Sequence, residues 1–374
     1  MTVTVSLYLD LLRILAALLV AYGHMTQPFF CTGCRDMTFM ATMAVGVFFA
    51  LSGFVIRHVV VAGRDGDASR YAVARLARMY SVLVPALILS AFVAWAAAAL
   101  DPGFYRSWSA FSTDPVWRVL ASLLFVNEAY GLDLFPFSDS PVWSLGYEVP
   151  YYFVFGAAVF ARGWVRLGLL VAAAAAWGPN IFVLFPAWAM GAALYGVLRG
   201  RTVPRWGGCA AAAWALALAA FYWRVVYPHH EAVRSVLAPV PWLGDRYTPH
   251  FPIFYCVGVL VCLSLVTVRA FDREIGRLLL PFARPIRGAA SATFSIYLFH
   301  FPLLVLAYAA SHYDRSSAVA RAAAFLSVIA ACFLLSRVTE ARKDLWARWI
   351  GAAWGRARAM GRVAPARTET AVGP

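Results

Sequence analysis

Three ionisable residues lie inside the first apolar stretch of the chain, LYLDLLRILAALLVAYGH: Asp10, Arg13 and His24. An ionisable side chain in a membrane-length apolar stretch is costly, which makes each of them a functional candidate. Arg13 and His24 are eleven positions apart. On a helix that spacing sets them within about 20° of the same face and about 16 Å apart along the axis. Asp10 precedes Arg13 by three residues, the spacing of an ion pair on one face. One face therefore carries an ion pair at one end and, at the other, an imidazole able to act as base or nucleophile. A carboxylate, Glu148, opens a later apolar stretch in the run Pro141-Val142-Trp143-Ser144-Leu145-Gly146-Tyr147-Glu148. Counted from the membrane surface, it is expected at a depth comparable with His24, where it would fix the imidazole tautomer and stabilise its cation.

Other residues offer binding chemistry. Arg57, Arg64, Arg70, Arg75 and Arg78 fall within residues 57–80, and guanidinium forks grip phosphate in bidentate fashion. His300 lies within an apolar stretch and is a candidate for lining an active cavity. Trp143 and Tyr147 could stack on a sugar ring or belong to an interfacial aromatic belt. Cys31 and Cys34 form a single CxxC; with no second pair, a short-loop disulfide or two thiols is expected rather than zinc. His229, His230 and His250 bracket the outer loop 228–248, which also holds Glu231, Arg234, Asp245 and Arg246; they could line an acceptor's entrance, but a solvated loop is the first reading. Ser52 and Gly53 are read as close-packing positions between helices. No metal site is expected.

These side chains need a scaffold, and composition names its class. Of 374 residues, 62% are hydrophobic and only 13% charged, with a net charge of +14. Average soluble domains run at about 45–50% apolar and about 25% charged, so a cytosolic enzyme, a disordered chain and a disulfide-stapled secreted domain are excluded. An all-α polytopic bundle remains. Stretches long enough to span begin near 5–24, 38–56, 80–100, 142–161, 164–178, 180–198, 206–227, 249–268, 288–309 and 318–336. Residues 117–130 are apolar but short and read as a re-entrant or half-membrane helix. The first stretch is too polar inside for a cleaved signal peptide. Residues 57–80, 162–166, 199–205, 269–287 and those after 336 hold 23 of the 32 basic residues. Ten spans with one re-entrant segment put all of them on one side, so both termini are expected in the cytoplasm of a plasma-membrane protein. The basic excess then faces anionic lipid rather than nucleic acid. Residues 1–337 form the membrane domain, and 338–374 a basic cytoplasmic tail, partly disordered towards its end.

Leu9–His24, with its R-x10-H pairing, resembles the opening motif of the acyltransferase-3 family of integral membrane O-acyltransferases. Phe48-Phe49-Ala50-Leu51-Ser52-Gly53-Phe54 is similar to that family's FFxLSGF helix, followed by an RxxR at Arg75–Arg78. Trp143–Glu148 resembles its WSLxxE, and Ser295–His300 its late SxxLYLxH-type segment. The resemblance implies transfer of an acyl group, with acetyl the expected one, from cytoplasmic acyl-CoA to a hydroxyl of a carbohydrate or glycosylated metabolite. It also implies His24 as the catalytic residue with Arg13 as its motif partner, and Arg75 and Arg78 as donor contacts. Arg13, partway along the helix, would hold a phosphate or the polar groups of the coenzyme's arm. His24 serves either as general base or as acyl carrier.

Two other classes compete. Intramembrane Asp, Arg, His and Glu would also suit a proton-coupled carrier of a small solute, although carriers usually show paired repeats and broken helices, and the sequence displays no repeat. A transferase using a lipid-linked sugar would need acidic metal or phosphate-sugar motifs that are not found.

Overall fold

The computed structural model describes residues 1–63, 66–107, 114–240, 243 and 245–360. Arg64 and the end of the tail, residues 361–374, lie outside the described residues. The chain is built from α1 (Val3–Met25), α2 (Thr38–Val61), α3 (Ala68–Leu100), α4 (Pro102–Ser107), α5 (Pro115–Leu123), α6 (Leu145–Phe160), α7 (Gly163–Trp177), α8 (Pro179–Val183) and α9 (Phe185–Leu198). There follow α10 (Arg205–Phe221), α11 (His230–Leu237), α12 (Phe251–Ala270), α13 (Asp272–Leu279), α14 (Ala283–Ala290), α15 (Thr293–Ser311), α16 (Ala318–Val338) and α17 (Lys343–Met360). No strand occurs among the described residues, and seven helical runs are long and apolar enough to cross a bilayer. The protein is an all-α helical bundle integral to the membrane. Its outward surface agrees, because Trp164, Leu216 and Val319 are among the large apolar side chains left exposed where lipid would cover them.

The ten apolar stretches are largely helical, with 288–309 interrupted at Ser291–Ala292 between α14 and α15 and two further local departures. The 180–198 stretch is broken into α8 and α9 at Leu184, where Pro186 supplies no backbone N–H for a continuous ladder. The 228–248 region is not wholly loop: α10 runs on through a π turn at Tyr222–Val226 towards α11. Beyond the spans, residues 272–290 fold into two short helices against α1, and Thr2 and Thr4 bond to the side chain and carbonyl of Asp272. The start of the tail continues as α17, which packs along α3.

The centre belongs to α15, whose residues Thr293–Pro302 are all buried, and which packs on α1, α3 and α16. Beside it, α2 and α9 approach backbone to backbone. A Cβ at Gly53 would collide with the Trp188 carbonyl, and one at Gly191 with the Ala50 carbonyl. Small residues on both helices thus let this pair close, as membrane helices do without a hydrophobic driving force between them. Helix α3 starts from Asp67, whose carboxylate accepts the N–H groups of Ser69 and Arg70 at 2.9 and 3.0 Å. Its 33 residues extend about 50 Å, well beyond a hydrocarbon core of about 30 Å.

Helix α5 is too short to cross. Its nine residues rise only about 13 Å. After it the chain folds back through irregular backbone, with left-handed φ angles at Phe125, Tyr130, Asp133 and Phe137. Non-glycine residues rarely adopt that region. This return path delivers α6 from within the bundle rather than from its surface.

Candidate functional site

The site grows from one hydrogen bond. His24 Nδ1 lies 2.8 Å from His300 Nε2, and His300 Nδ1 lies 2.8 Å from the Ile296 carbonyl oxygen. A carbonyl only accepts, so the neutral His300 ring must carry its proton on Nδ1 and present a bare lone pair on Nε2. That lone pair in turn requires His24 to carry its proton on Nδ1. The His24 Nε2 is left with its lone pair available, the arrangement of a base or nucleophile oriented by a second group. The rings stack at 5.1 Å and 14°, with Phe301 set edge-on against His24 at 4.9 Å. His300 is fully buried, whereas His24 keeps partial exposure.

Towards the other end of α1, Arg13 pairs with Asp10 at 3.6 Å, as their spacing requires. It lines a cavity of about 80 Å³ with Arg75, Arg78, Ser52, Ser144, Glu148, Tyr152 and Tyr297. The fold therefore gathers three guanidinium groups from α1 and α3 into one space. Arg75 and Arg78 lie over the rings of Tyr71 and Phe294 at 5.8 and 5.9 Å, contacts that favour cations over aromatic faces. A polar chain crosses the cavity: Trp188 Nε1 donates to Ser52 Oγ at 3.2 Å, Ser52 Oγ is 3.2 Å from the Tyr152 hydroxyl, and Tyr152 donates to Glu148. On the His side, the Tyr297 hydroxyl donates to Ser144 Oγ at 2.7 Å. Tyr297 sits one turn before His300, so α15 links the arginine cavity to the histidine pair.

Three sequence-based expectations are corrected by the structure. Glu148 does not orient His24; its carboxylate bonds to Tyr152, and His300 takes the place beside the imidazole. Glu148 instead lines one cavity with Arg13, so α6 brings it to the Arg13 end of α1 rather than to His24. Nor do Trp143 and Tyr147 present open stacking faces. Trp143 is sandwiched at 3.6 Å and 9° against Tyr247, and Tyr147 is fully buried with its hydroxyl 3.5 Å from Asp245. His300, expected to line a cavity, supports His24 instead. Cys31 and Cys34 form a disulfide. Among the described residues, no group of three or more His, Cys, Asp or Glu is arranged to hold a metal ion.

Beyond the histidines lies a polar layer that includes Asp245 and Arg246, which are expected in a solvated loop but are packed here against Asn180, Tyr247 and Thr248. Asn180 Nδ2 donates to the Glu128 carbonyl and to Asp245, both at 3.0 Å. Asp245 also caps the Tyr247 and Thr248 N–H groups at 2.9 and 2.6 Å. Arg246 sits 4.0 Å from Asp133 and over the rings of Phe135 and Tyr247. Glu128 is fully buried, and neither of its carboxylate oxygens reaches hydrogen-bond geometry, although Asn127 is close enough to act on it. Burial first, and then the nearby Asp133 and Asp245, hold the Glu128 carboxyl well above the usual carboxylate range. Burial does the same to Asp139, which accepts from Ser90 at 3.2 Å. The available signal was the polar pair Asn127-Glu128 interrupting an apolar segment.

The acyltransferase-3 family model, described as an acyltransferase domain, matches residues 6–337. No curated protein and no solved structure matches the chain.

Proposed function

The chain belongs to the acyltransferase-3 family, and from that premise we propose that this membrane acyltransferase moves an acyl group, acetyl being the expected one, from acyl-CoA to a hydroxyl of a carbohydrate or glycosylated metabolite. The observation that carries the reading is the His24–His300 pair, which leaves His24 Nε2 with a free lone pair on the same helix as Arg13. The basic loops orient the bundle with the Arg75 and Arg78 end at the cytoplasmic face of the plasma membrane and both termini inside. The three guanidinium groups suit the phosphates and polar arm of a coenzyme A donor. The arm of such a donor has to cover about 16 Å, the rise from Arg13 to His24.

Two routes are chemically complete. In the first, His24 Nε2 takes the acceptor's hydroxyl proton while that oxygen attacks the thioester carbonyl; the C–S bond breaks, and His24 returns the proton to the leaving thiolate. In the second, Nε2 itself attacks the thioester and the C–S bond breaks to release the thiolate; the acceptor hydroxyl then takes the acyl group from the imidazole as the N–acyl bond breaks, and the hydroxyl proton replaces the one the thiolate takes up. The second route suits a donor and an acceptor that arrive from opposite faces. In both, positive charge builds on the His24 ring, and the Nδ1–H bond to His300 strengthens as it does.

The test is transfer of label from radiolabelled acetyl-CoA to material in membranes containing the protein, compared with His24→Ala at equal expression. Loss of transfer in the variant supports the assignment, and unchanged transfer sinks it. Absence of transfer from any acyl-CoA, together with proton-coupled uptake of a solute, would instead mark a carrier.

A further inference from the structure

A second, larger cavity of about 440 Å³ lies beside the arginine cavity, between α3, α6 and α7. It shares Arg75, Met79 and Tyr152 with that cavity, so the wall between the two is one layer of side chains. Its own lining is apolar, and its depth comes from small residues, notably Ala72, Gly156 and Ala157. Gly156 is held to that size, since a Cβ there would meet the Tyr71 ring at 2.9 Å. Along α3 the groove runs from Ala68 to Met79, about 16 Å at helical rise. That is half of a hydrocarbon core about 30 Å thick, the depth of one leaflet. Val165 of α7, 67% exposed, and Trp354 of α17 stand at its edge, on the outside of the bundle.

Charge identifies the leaflet and the headgroup. Arg70, Arg162 and Arg166, all exposed, are each next in sequence to a residue that lines the groove. Among the described residues, the acid at this rim is Asp67, which caps α3 and pairs with Arg70 at 3.4 Å. We infer that the groove is a binding site for one anionic phospholipid of the cytoplasmic leaflet, its acyl chain lying along α3 and α6 and its phosphate among these arginines. The bound chain closes the lipid-facing side of the arginine cavity by packing against the far side of Arg75, Met79 and Tyr152. This inference rests on the groove and its rim and not on the acyl-transfer reading.

Native mass spectrometry of the full chain, released from nanodiscs of equal parts phosphatidylcholine and phosphatidylglycerol, tests it. The wild-type protein is expected to retain one phosphatidylglycerol in preference to phosphatidylcholine. Arg162→Gln with Arg166→Gln removes two near-surface cations and is expected to cut that preference by about thirtyfold. Ala72→Trp fills the groove and is expected to abolish retention. Since that replacement alters packing, the double arginine variant keeps the test decisive if it does not fold. Equal retention of both lipids, retention unchanged in either variant, displacement of the lipid by a long-chain acyl-CoA, or a dimer in place of the lipid-bound species would each overturn the assignment.

Discussion

Replacing His300 tests the chemistry of the site most directly. In the wild type, its Nδ1–H is held by the Ile296 carbonyl, and its Nε2 accepts from His24. His300→Ala leaves the His24 Nδ1–H without that acceptor at the moment the ring gains positive charge. A hydrogen bond to a charged group is worth about 1.5–3 kcal/mol, and a tenfold change in rate corresponds to about 1.4 kcal/mol. The variant should therefore lose about 10- to 150-fold in kcat. His300 does not line the arginine cavity, so KM for the donor should stay near its wild-type value. His300→Gln retains an acceptor oxygen and should recover part of the loss, which a purely packing role for the ring would not allow. The assay is steady-state transfer from radiolabelled acetyl-CoA in membranes with matched protein levels. Activity of the alanine variant within about twofold of wild type, a loss carried by KM, or a glutamine variant no better than alanine would refute the reasoning.

Two further outcomes follow from the geometry. Arg78→Lys exchanges a planar fork for a point charge, and should raise KM for acyl-CoA by about tenfold or more while leaving kcat near wild type; a fall in kcat alone would remove Arg78 from the donor site. Glu128 holds a proton in the folded chain that the unfolded chain releases near its ordinary value of about 4.3. Its contribution to stability therefore falls as pH rises above that value towards its raised folded value, whereas Glu128→Gln cannot ionise. Between about pH 5 and pH 8, the Tm of wild type should drop relative to that of Glu128→Gln, and a gap that stays constant or reverses would contradict the buried, unsatisfied carboxyl.

The sequence reached far here because hydrocarbon is a demanding solvent. Backbone groups in a bilayer must be satisfied within each segment, so a run of apolar residues already specifies helix, and the ten such runs are largely helical. The same cost made Asp10, Arg13 and His24 visible, and a fixed rise and rotation per residue set their order along α1. Arg75 and Arg78, three apart on α3, share a face by the same rule, and they meet Arg13 in one cavity.

What periodicity could not supply was depth and partnership between helices. The return of the chain after α5 depends on left-handed residues and on side chains such as Asn127, which packs against Gly146, and no repeat announces it. The packing of the helices sets Glu148 in the cavity of Arg13 and gives the place beside His24 to His300, 276 residues away. The sequence by itself determined that this protein is a helical membrane bundle with arginine-rich connections and charged residues aligned along its first helix. Which imidazole nitrogen is free was decided only by the tertiary structure, because a proton's position follows from the acceptor facing it, and that acceptor comes from another helix.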